Sequence, residues 1–252
     1  MNKITLITGA TSGIGRSCAT IFAKNKHDLI ISGRRKERLD KISEELKSEF
    51  GINVLTLSFD VRYNSEVKKA ISSLPSEWKN VEILINNAGL AVGLGTLQDG
   101  DIDDWERMID TNVKGLLYMS RAVLPLLADK NSGHVINIGS IAGKEVYPNG
   151  NVYCATKHAV DALTKAMRID LVKHGIKVTQ VAPGAIETEF SIVRFKGDEA
   201  KANSIYQGYK PLLPDDVANV VYYTTTLPAH VNINDLVIMP TAQASATVFN
   251  KG

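Results

Sequence analysis

A tyrosine and a lysine stand at helical spacing in the second half of the chain. Tyr153 and Lys157 are four residues apart, so a helix would place both side chains on one face. A free phenol has a pKa near ~10 and accepts a proton poorly at neutral pH, but a neighbouring ammonium stabilises the phenolate. Ser140 follows the apolar run 134–139, which predicts a strand that presents this hydroxyl at its carboxyl end. The three groups could converge on one carbonyl, with Tyr153 as the acid/base. A surface tyrosine and lysine on an ordinary helix is the alternative.

A glycine-rich turn follows the β-favouring run 4–8. Gly9, Gly13 and Gly15 have the spacing GxxxGxG, which leaves the backbone open to a pyrophosphate just before a helix amino terminus with free N–H groups. No Lys-Ser or Lys-Thr follows, so this is not the phosphate loop of nucleotide hydrolases. A merely tight turn is the alternative. The residues expected to bind a dinucleotide here are Gly9, Thr11, Ser12, Gly13, Ile14 and Gly15.

Two arginines follow the second predicted strand, residues 28–32. In dinucleotide-binding folds the group that reads the adenosine ribose lies about 20 residues beyond the glycines; an acid there selects a free 2′-hydroxyl, and an Arg accommodates a 2′-phosphate. Arg34 and Arg35 occupy this position and no acid does. The sequence therefore predicts NADP rather than NAD. The alternative is the solvated start of the charged helix predicted over 36–50.

Strands and helices alternate along the rest of the chain. Further strands are predicted over 54–59, 81–85, 177–182 and 235–239. This alternation predicts one α/β domain over 1–252 with a Rossmann-like doubly wound parallel sheet. Ligands bind at the carboxyl ends of strands in such sheets, where Asp60 is placed to accept from an adenine amino group. The further candidates for cofactor contact are Asp60, Val61, Asn87, Ala88, Gly89, Tyr153, Lys157, Pro183, Gly184, Ile186 and Thr188, with ordinary turn chemistry as the alternative for the asparagine.

The stretch 183–214 has little clean periodicity, and a connection that long inside a domain is usually functional. We expect a substrate lid within 184–214. If the substrate carries a carboxylate, that charge needs a cation in the pocket, and the planar fork of Arg194 suits a carboxylate better than Lys196 does. A solvated arginine in a mobile loop is the alternative. The residues predicted to contact substrate are Ser140, Tyr153, Phe190 and Arg194. The tail from residue 240 is small, apolar and rather long for free solvent.

Composition excludes several classes of function. The 252 residues suit one large domain or two small ones. With 29 basic against 27 acidic residues the net charge is only +2, so no overall field attracts nucleic acid or an anionic membrane. No charged leader precedes an apolar core, and no apolar run approaches the ~18 residues that span a bilayer. The five histidines lack metal-ligand spacing. We therefore expect a cytoplasmic protein without a metal, a membrane or a nucleic acid partner.

In their order along the chain, these motifs resemble the short-chain dehydrogenase/reductase family over nearly the whole length. The shared marks are segments 8–15, 86–89 and 153–157, together with Asn112, Ser140 and the pair Pro183-Gly184. The resemblance implies a catalytic tetrad of Asn112, Ser140, Tyr153 and Lys157, in which Lys157 also touches the nicotinamide ribose and Asn112 holds a water in a proton relay. It also implies a homotetramer.

Segments 192–198 and 227–234 look like the branch of NADP-dependent 3-hydroxy acid dehydrogenases. That branch reversibly converts serine, allo-threonine and small 3-hydroxy acids into 3-oxo acids. The expected partner is thus a small hydroxy acid or carbonyl compound. Three other readings stay open: a 3-oxoacyl thioester reductase, a broad carbonyl reductase, and a cofactor-sensing protein without turnover.

Overall fold

Seven parallel strands form the centre of the computed structural model, which describes residues 2–252 apart from the side chain at position 203. The strands are β1 (Ile4–Ile7), β2 (Asp28–Gly33), β3 (Val54–Ser58), β4 (Val81–Asn86), β5 (His134–Ile138), β6 (Lys177–Pro183) and β7 (Asp235–Ile238). Their order is β3-β2-β1-β4-β5-β6-β7, and each neighbouring pair is parallel. The predicted doubly wound α/β fold is confirmed.

Helices cover both faces of this sheet. They are α1 (Gly13–Lys24), α2 (Lys36–Phe50), α3 (Asn64–Ser72), α4 (Ile102–Ile109), α5 (Leu116–Ala128), α6 (Asn151–Leu171), α7 (Glu189–Arg194), α8 (Glu199–Ser204) and α9 (Pro214–Thr226). Helices α1, α2 and α9 pack on one face, whereas α3, α5 and α6 pack on the other. Within the described residues, none of these helices has the combined length and apolar composition that crossing a bilayer requires.

The sequences of the inner strands are continuously apolar because both faces of the sheet are buried. Successive side chains of a strand point to opposite faces. Ile31 and Ile85 join the core beneath α1, α2 and α9, while their neighbours Ile30 and Leu84 join the core beneath α3, α5 and α6. All four side chains are fully buried.

The sheet order places a crevice at the end of β1. The chain moves outward from β1 to β2 and β3, then returns to β4 on the other side of β1. At such a switch point the connections leave the carboxyl edge in opposite directions, which opens a ligand-binding crevice. The glycine turn after β1 and the loop 87–89 after β4 border this crevice.

The amphipathic segment 105–128 would suggest a single helix from its pattern, but the structure divides this part of the chain into separate helical stretches. Helix α4 begins earlier, at Ile102, with Asp101 as its cap accepting from the amide of Asp103 at 3.0 Å. A π-helical stretch, Asp110–Gly115, separates α4 from α5. Single π-helical turns commonly occur at functional sites, and this one carries Asn112. The region 183–214 also differs from an irregular loop, because it contains the short helices α7 and α8.

Candidate active site

A cleft of about 530 Å³ lies at the carboxyl edge of the sheet. Most of the residues predicted to bind a cofactor or a substrate line it together. They are Gly9, Thr11, Ser12, Gly13, Ile14, Arg34, Arg35, Asp60, Val61, Asn87, Ala88, Gly89, Ser140, Tyr153, Lys157, Pro183, Gly184, Ile186, Thr188, Phe190 and Arg194. The two predicted residues that do not line the cleft, Gly15 and Asn112, lie directly behind its wall.

The glycine turn needs its glycines for backbone geometry. Gly9 and Gly13 have φ values of +66° and +52°, in the left-handed region that residues with a Cβ rarely adopt. A Cβ on Gly15 would lie 2.3 Å from the carbonyl oxygen of Gly9. The amide of Asn87 braces the turn by donating to the carbonyls of Thr8 and Gly9 at 2.8 and 3.1 Å. Asn87 thus acts on the wall of the cleft as a structural clamp.

Arg34, Arg35 and Asp60 line the end of the cleft where the adenosine is expected, the adenosine end. The two arginines have different surroundings there. The Nη2 of Arg35 donates to Thr11 Oγ1 at 2.9 Å and to Ser12 Oγ at 3.3 Å. The side chain of Arg34 is 60% exposed and lies 4.0 Å from Asp60 Oδ2. An open glycine backbone, two hydroxyls and two guanidinium groups form a donor set that suits a dinucleotide with a 2′-phosphate.

Asp60 lines the cleft, but its carboxylate already has a cation. Arg62 Nη2 and Nε donate to Asp60 Oδ2 at 2.7 and 3.0 Å. Burial alone would raise the pKa of Asp60, but the hydrogen bonds from Arg62 lower it below the ordinary value. The expected contact with an adenine amino group therefore depends on acceptor capacity that Arg62 leaves free.

Tyr153 and Ser140 form the polar centre of the cleft. Tyr153 is 8% exposed on α6. Burial and the adjacent Tyr147 raise the pKa of its phenol, whereas hydrogen bonding with Ser140 and the charge of Arg194 lower it. Ser140 follows β5 and caps the turn Ile141–Gly143, its Oγ accepting from the amide of Ala142 at 3.1 Å. The phenol and hydroxyl are thus placed to act on one oxygen atom.

Lys157 lies on the same face of α6 as Tyr153. It does not form the direct pair with Tyr153 that the spacing suggests. Its Nζ donates to the carbonyl oxygen of Ile138 at 2.9 Å. Burial lowers the pKa of Lys157 to about 8. The neighbours that lower the pKa of Tyr153 are Ser140 and Arg194, so direct stabilisation of the phenolate by this ammonium is not seen here.

Asn112 supports the cleft from behind Gly89. Its Oδ1 accepts from the amide of Leu90, and its Nδ2 donates to the carbonyl of Leu90, both at 2.8 Å. A third bond joins its Nδ2 to Thr156 Oγ1 at 3.0 Å. A Cβ on Gly89 would lie 3.2 Å from Asn112 Oδ1 and 3.7 Å from Lys157 Nζ. The side chain of Asn112 therefore fixes the loop after β4 beside Lys157.

Arg194 lies over the candidate acid/base. Its guanidinium carbon is 5.8 Å from the ring centroid of Tyr153 and 5.3 Å from that of Tyr147. Its Nη2 donates to the Tyr147 hydroxyl at 2.9 Å, while its buried Nε has no hydrogen-bond partner among the described residues. The ring of Phe190 packs edge-on against Tyr153 with centroids 5.7 Å apart. Arg194 thus retains a buried donor beside the phenol.

Lys196, the other cation considered for a substrate acid, is already paired with two carboxylates. Its Nζ contacts Asp104 Oδ2 at 2.7 Å and Asp101 Oδ2 at 3.1 Å. These acids belong to the start of α4, far from Lys196 in sequence. Lys196 does not line the 530 Å³ cleft, but it lines a neighbouring pocket that Tyr153 and Arg194 also border. Because two carboxylates already pair with its ammonium, Arg194 is the better candidate for a substrate acid.

Several lining residues carry no motif that identifies them in the sequence. They are Tyr147, Glu189, Ser191, Tyr206, Gln243 and Phe249. For the last two, the apolar tail beyond residue 240 was the available signal. Gln243 Oε1 accepts from the amide of Ala185 at 2.7 Å, which joins the tail to the start of the predicted lid. Among the described residues, no group of three or more His, Cys, Asp or Glu side chains is arranged to hold a metal ion.

Lys157 leads to a prediction about stability. The shift from 10.5 to about 8 corresponds to ~3 kcal/mol at ~1.4 kcal/mol per unit. Between these two pH values the unfolded state binds more protons than the folded state. The loss of folding stability from burying the charged ammonium is therefore complete below about pH 8 and disappears as the pH rises towards 10.5. The hydrogen bond to Ile138 offsets ~1 kcal/mol. Lys157→Met should therefore raise the free energy of unfolding by ~1–2 kcal/mol at pH 7.

Urea unfolding at pH 7 and pH 10 measures this effect. The advantage of Lys157→Met over the unmodified protein should shrink at the higher pH, because the lysine is then largely neutral in the folded state. Lys173→Met is the matched control, since Lys173 is exposed just after the same helix. A loss of stability in Lys157→Met at both pH values would contradict the prediction.

The fold and the cleft define a class of protein: an α/β protein with a dinucleotide-binding cleft that contains a buried tyrosine. The family model for short chain dehydrogenase matches residues 3–198. The chain belongs to the short-chain dehydrogenase family, and the resemblance read from its motifs is confirmed.

Similar proteins cover the chain almost completely. It is 48% identical over 244 residues to the NADP-dependent 3-hydroxy acid dehydrogenase YdfG of Salmonella typhi, covering 96% of this chain and 97% of that protein. It is 47% identical over 245 residues to sulfoacetaldehyde reductase 2 of Chromohalobacter salexigens, covering 97% and 95%. Among solved structures, the closed form of serine dehydrogenase complexed with NADP+ matches with a TM-score of 0.92 and 48% identity, covering 98% of each chain.

Proposed function

We propose that this protein is an NADP-dependent oxidoreductase that interconverts a small 3-hydroxy acid and its 3-oxo acid. The observation that carries the proposal is the position of Arg194, which has a buried, unpartnered Nε within the described part of the chain and lies over the ring of Tyr153. A substrate with an acid group near its reacting oxygen could bind Arg194 while that oxygen meets Tyr153. The names of the 3-hydroxy acid and serine dehydrogenases similar to this chain support the same assignment.

The cofactor would occupy the cleft from the glycine turn to Lys157. Gly9, Ser12 and Ile14 would hold its pyrophosphate, and Arg34 and Arg35 would bind its 2′-phosphate, because a guanidinium fork matches phosphate oxygens. Bound NADP supplies the hydride acceptor or donor. The protein contributes orientation, proton transfer and a site from which water is largely excluded.

Tyr153 is the proposed acid/base. In reduction, its phenol donates a proton to the substrate carbonyl oxygen; in oxidation, its phenolate accepts the proton of the substrate hydroxyl. Ser140 donates a hydrogen bond to the same oxygen as charge develops on it. The raised pKa of Tyr153 keeps the phenol protonated at neutral pH, which suits the reductive direction. Lys157 would touch the nicotinamide ribose, and Asn112 would hold a water in a proton relay.

A related substrate class is the second candidate. A sulfonate is also an oxyanion that a guanidinium can bind through two oxygens, and the similarity to sulfoacetaldehyde reductase 2 favours a 2-oxo sulfonate such as sulfoacetaldehyde. The same residues would act on its aldehyde. The position of Arg194 therefore predicts a preference for an anionic substrate. The shape of the pocket then determines which acid binds.

A substrate panel tests the proposed function. It should contain serine, allo-threonine, 3-hydroxypropionate, isethionate, neutral alcohols and ketones, and 3-oxoacyl thioesters, each assayed with both cofactors. We expect the highest kcat/KM for a small acid with NADP(H). Comparable values for neutral ketones would favour a broad carbonyl reductase, and a preference for thioesters would favour an acyl thioester reductase. Absence of turnover with every compound would leave only a sensing role.

The arginines at the adenosine end give a prediction about cofactor choice. Replacing both Arg34 and Arg35 by glutamine should weaken NADPH binding by ~10–100-fold and NADH binding by less than ~3-fold, because only the 2′-phosphate offers a dianion to these exposed cations. Fluorescence titration of each reduced cofactor measures both dissociation constants. Lys36→Gln removes a neighbouring exposed charge that pairs with Asp40 and serves as the control. Equal losses for the two cofactors would contradict the assignment.

The family resemblance supports two further proposals. The first is a cytoplasmic homotetramer, for which light scattering should give a mass near four times 27.4 kDa. The second is that segment 184–214, with α7 and α8, closes over the substrate. Phe190 and Arg194 of α7 would then meet the substrate in the closed state.

A further inference from the structure

The first residue of helix α7, Glu189, binds two arginines at the adenosine end of the cleft. Its Oε1 accepts from Arg38 Nη1 at 2.9 Å, and its Oε2 accepts from Arg35 Nη1 at 3.3 Å. All three side chains are about half exposed. Exposed ion pairs of this kind are individually weak and exchange readily with competing charges.

Arg35 joins two parts of the cleft. One guanidinium nitrogen contacts Glu189 of the predicted lid, and the other donates to Thr11 and Ser12 of the glycine turn. The start of α7 lies directly over that turn, because a Cβ on Gly13 would be only 3.3 Å from a methyl carbon of Thr188. Any ligand that takes hold of Arg35 therefore acts on the first turn of the lid helix.

We propose that Glu189 is an internal competitor for the 2′-phosphate of the cofactor, so that the arriving phosphate transfers Arg35 from the lid helix to the cofactor. The proposal rests on binding of NADP in this cleft and is independent of the substrate. Glu189 keeps Arg38 as a partner after the exchange. Phosphate binding is thereby coupled to the position of α7, which carries Phe190 and Arg194.

Charge determines the direction of the exchange. Burial would raise the pKa of Glu189, but the bonds from Arg38 and Arg35 lower it, so the carboxylate is ionised at neutral pH. A phosphate monoester carries nearly two negative charges at that pH and binds the guanidinium fork more strongly than one carboxylate does. Glu189 consequently weakens binding of the 2′-phosphate, both by occupying Arg35 and by repelling the incoming dianion. By linkage, the phosphate loosens the hold of Arg35 on the lid to the same extent.

Two small ligands that differ only in the 2′-phosphate test the competition. Adenosine 2′,5′-bisphosphate and AMP are titrated by calorimetry into the unmodified protein and into Glu189→Gln. We expect Glu189→Gln to bind the bisphosphate about threefold to tenfold more tightly and AMP within about twofold of the unmodified protein. Raising the salt concentration should reduce the difference, since the competition is between exposed charges. Glu187→Gln is the matched control, because Glu187 is exposed two residues away and makes the same change in net charge.

Hydrogen exchange tests the coupling to the lid. In the unmodified protein, the bisphosphate should speed exchange of the amides of residues 190–194 relative to AMP, and in Glu189→Gln the two ligands should have the same effect. Weaker or unchanged binding of the bisphosphate by a folded Glu189→Gln, or equal gains for both ligands, would overturn the proposal. So would equal gains in Glu187→Gln. If the unmodified protein binds the bisphosphate no better than AMP, the NADP assignment also fails. Absence of turnover with every hydroxy acid would contradict the proposed function but would leave this binding test unaffected.

Discussion

Tyr153→Phe should remove most of the turnover and leave cofactor binding nearly intact. The substitution deletes the transferable proton and keeps the ring, which still packs against Phe190. Positioned acid/base catalysis typically contributes ~10²–10⁴-fold, so we expect kcat to fall by that factor. The dissociation constant for NADPH, measured by fluorescence, should change by less than ~3-fold, because the phenol is assigned to the substrate oxygen.

Tyr147→Phe is the matched control for this experiment. Tyr147 is a second tyrosine in the same cleft, and its hydroxyl accepts a hydrogen bond from Arg194. Its removal should reduce kcat by less than ~10-fold, since Tyr147 transfers no proton in the proposed mechanism. A loss below tenfold in Tyr153→Phe, or equal losses in the two variants, would refute the role given to Tyr153.

Arg194→Met should reduce kcat/KM for a small acid by ~10²-fold or more, because a buried carboxylate would lose its charged partner. Most of the loss should be in KM, since this contact is made in the ground state as well as in the transition state. Neutral carbonyl substrates should lose much less. Arg194 also lowers the pKa of Tyr153, so the pH profile for neutral substrates should move slightly to higher pH. The dissociation constant for NADPH should not change.

Lys196→Met separates a substrate contact from a general effect on the lid. Lys196 is a cation of the same segment, but it pairs with Asp101 and Asp104 and lines only the pocket next to the cleft. Loss of this pairing should affect charged and neutral substrates alike. If Arg194→Met also impairs both classes equally, Arg194 acts in lid folding or at the cofactor, and the proposed acid-binding role is wrong.

The sequence by itself determined the fold class and the motifs that line the cleft. Continuous apolar runs predict strands buried on both faces, and the seven-stranded parallel sheet confirms this. The glycines at the end of β1 are readable because their backbone requirement is local: Gly9 and Gly13 adopt positive φ, and Gly15 tolerates no Cβ. Tyr153 and Lys157 share a helix face because their spacing matches the helical period. These features depend on residues near one another in the chain.

The tertiary structure decided which partner each polar group meets. Lys157 donates to Ile138 and not to the phenol beside it, because α6 packs against the turn Ile141–Gly143 that follows β5. Lys196 pairs with acids at the start of α4, while Arg194, two residues earlier, faces Tyr153. Glu189 meets Arg35 and Arg38 across more than half of the chain. Charges act over distance without a sequence period, so residue types alone do not specify these pairs; only the packing of distant segments brings them within hydrogen-bond range.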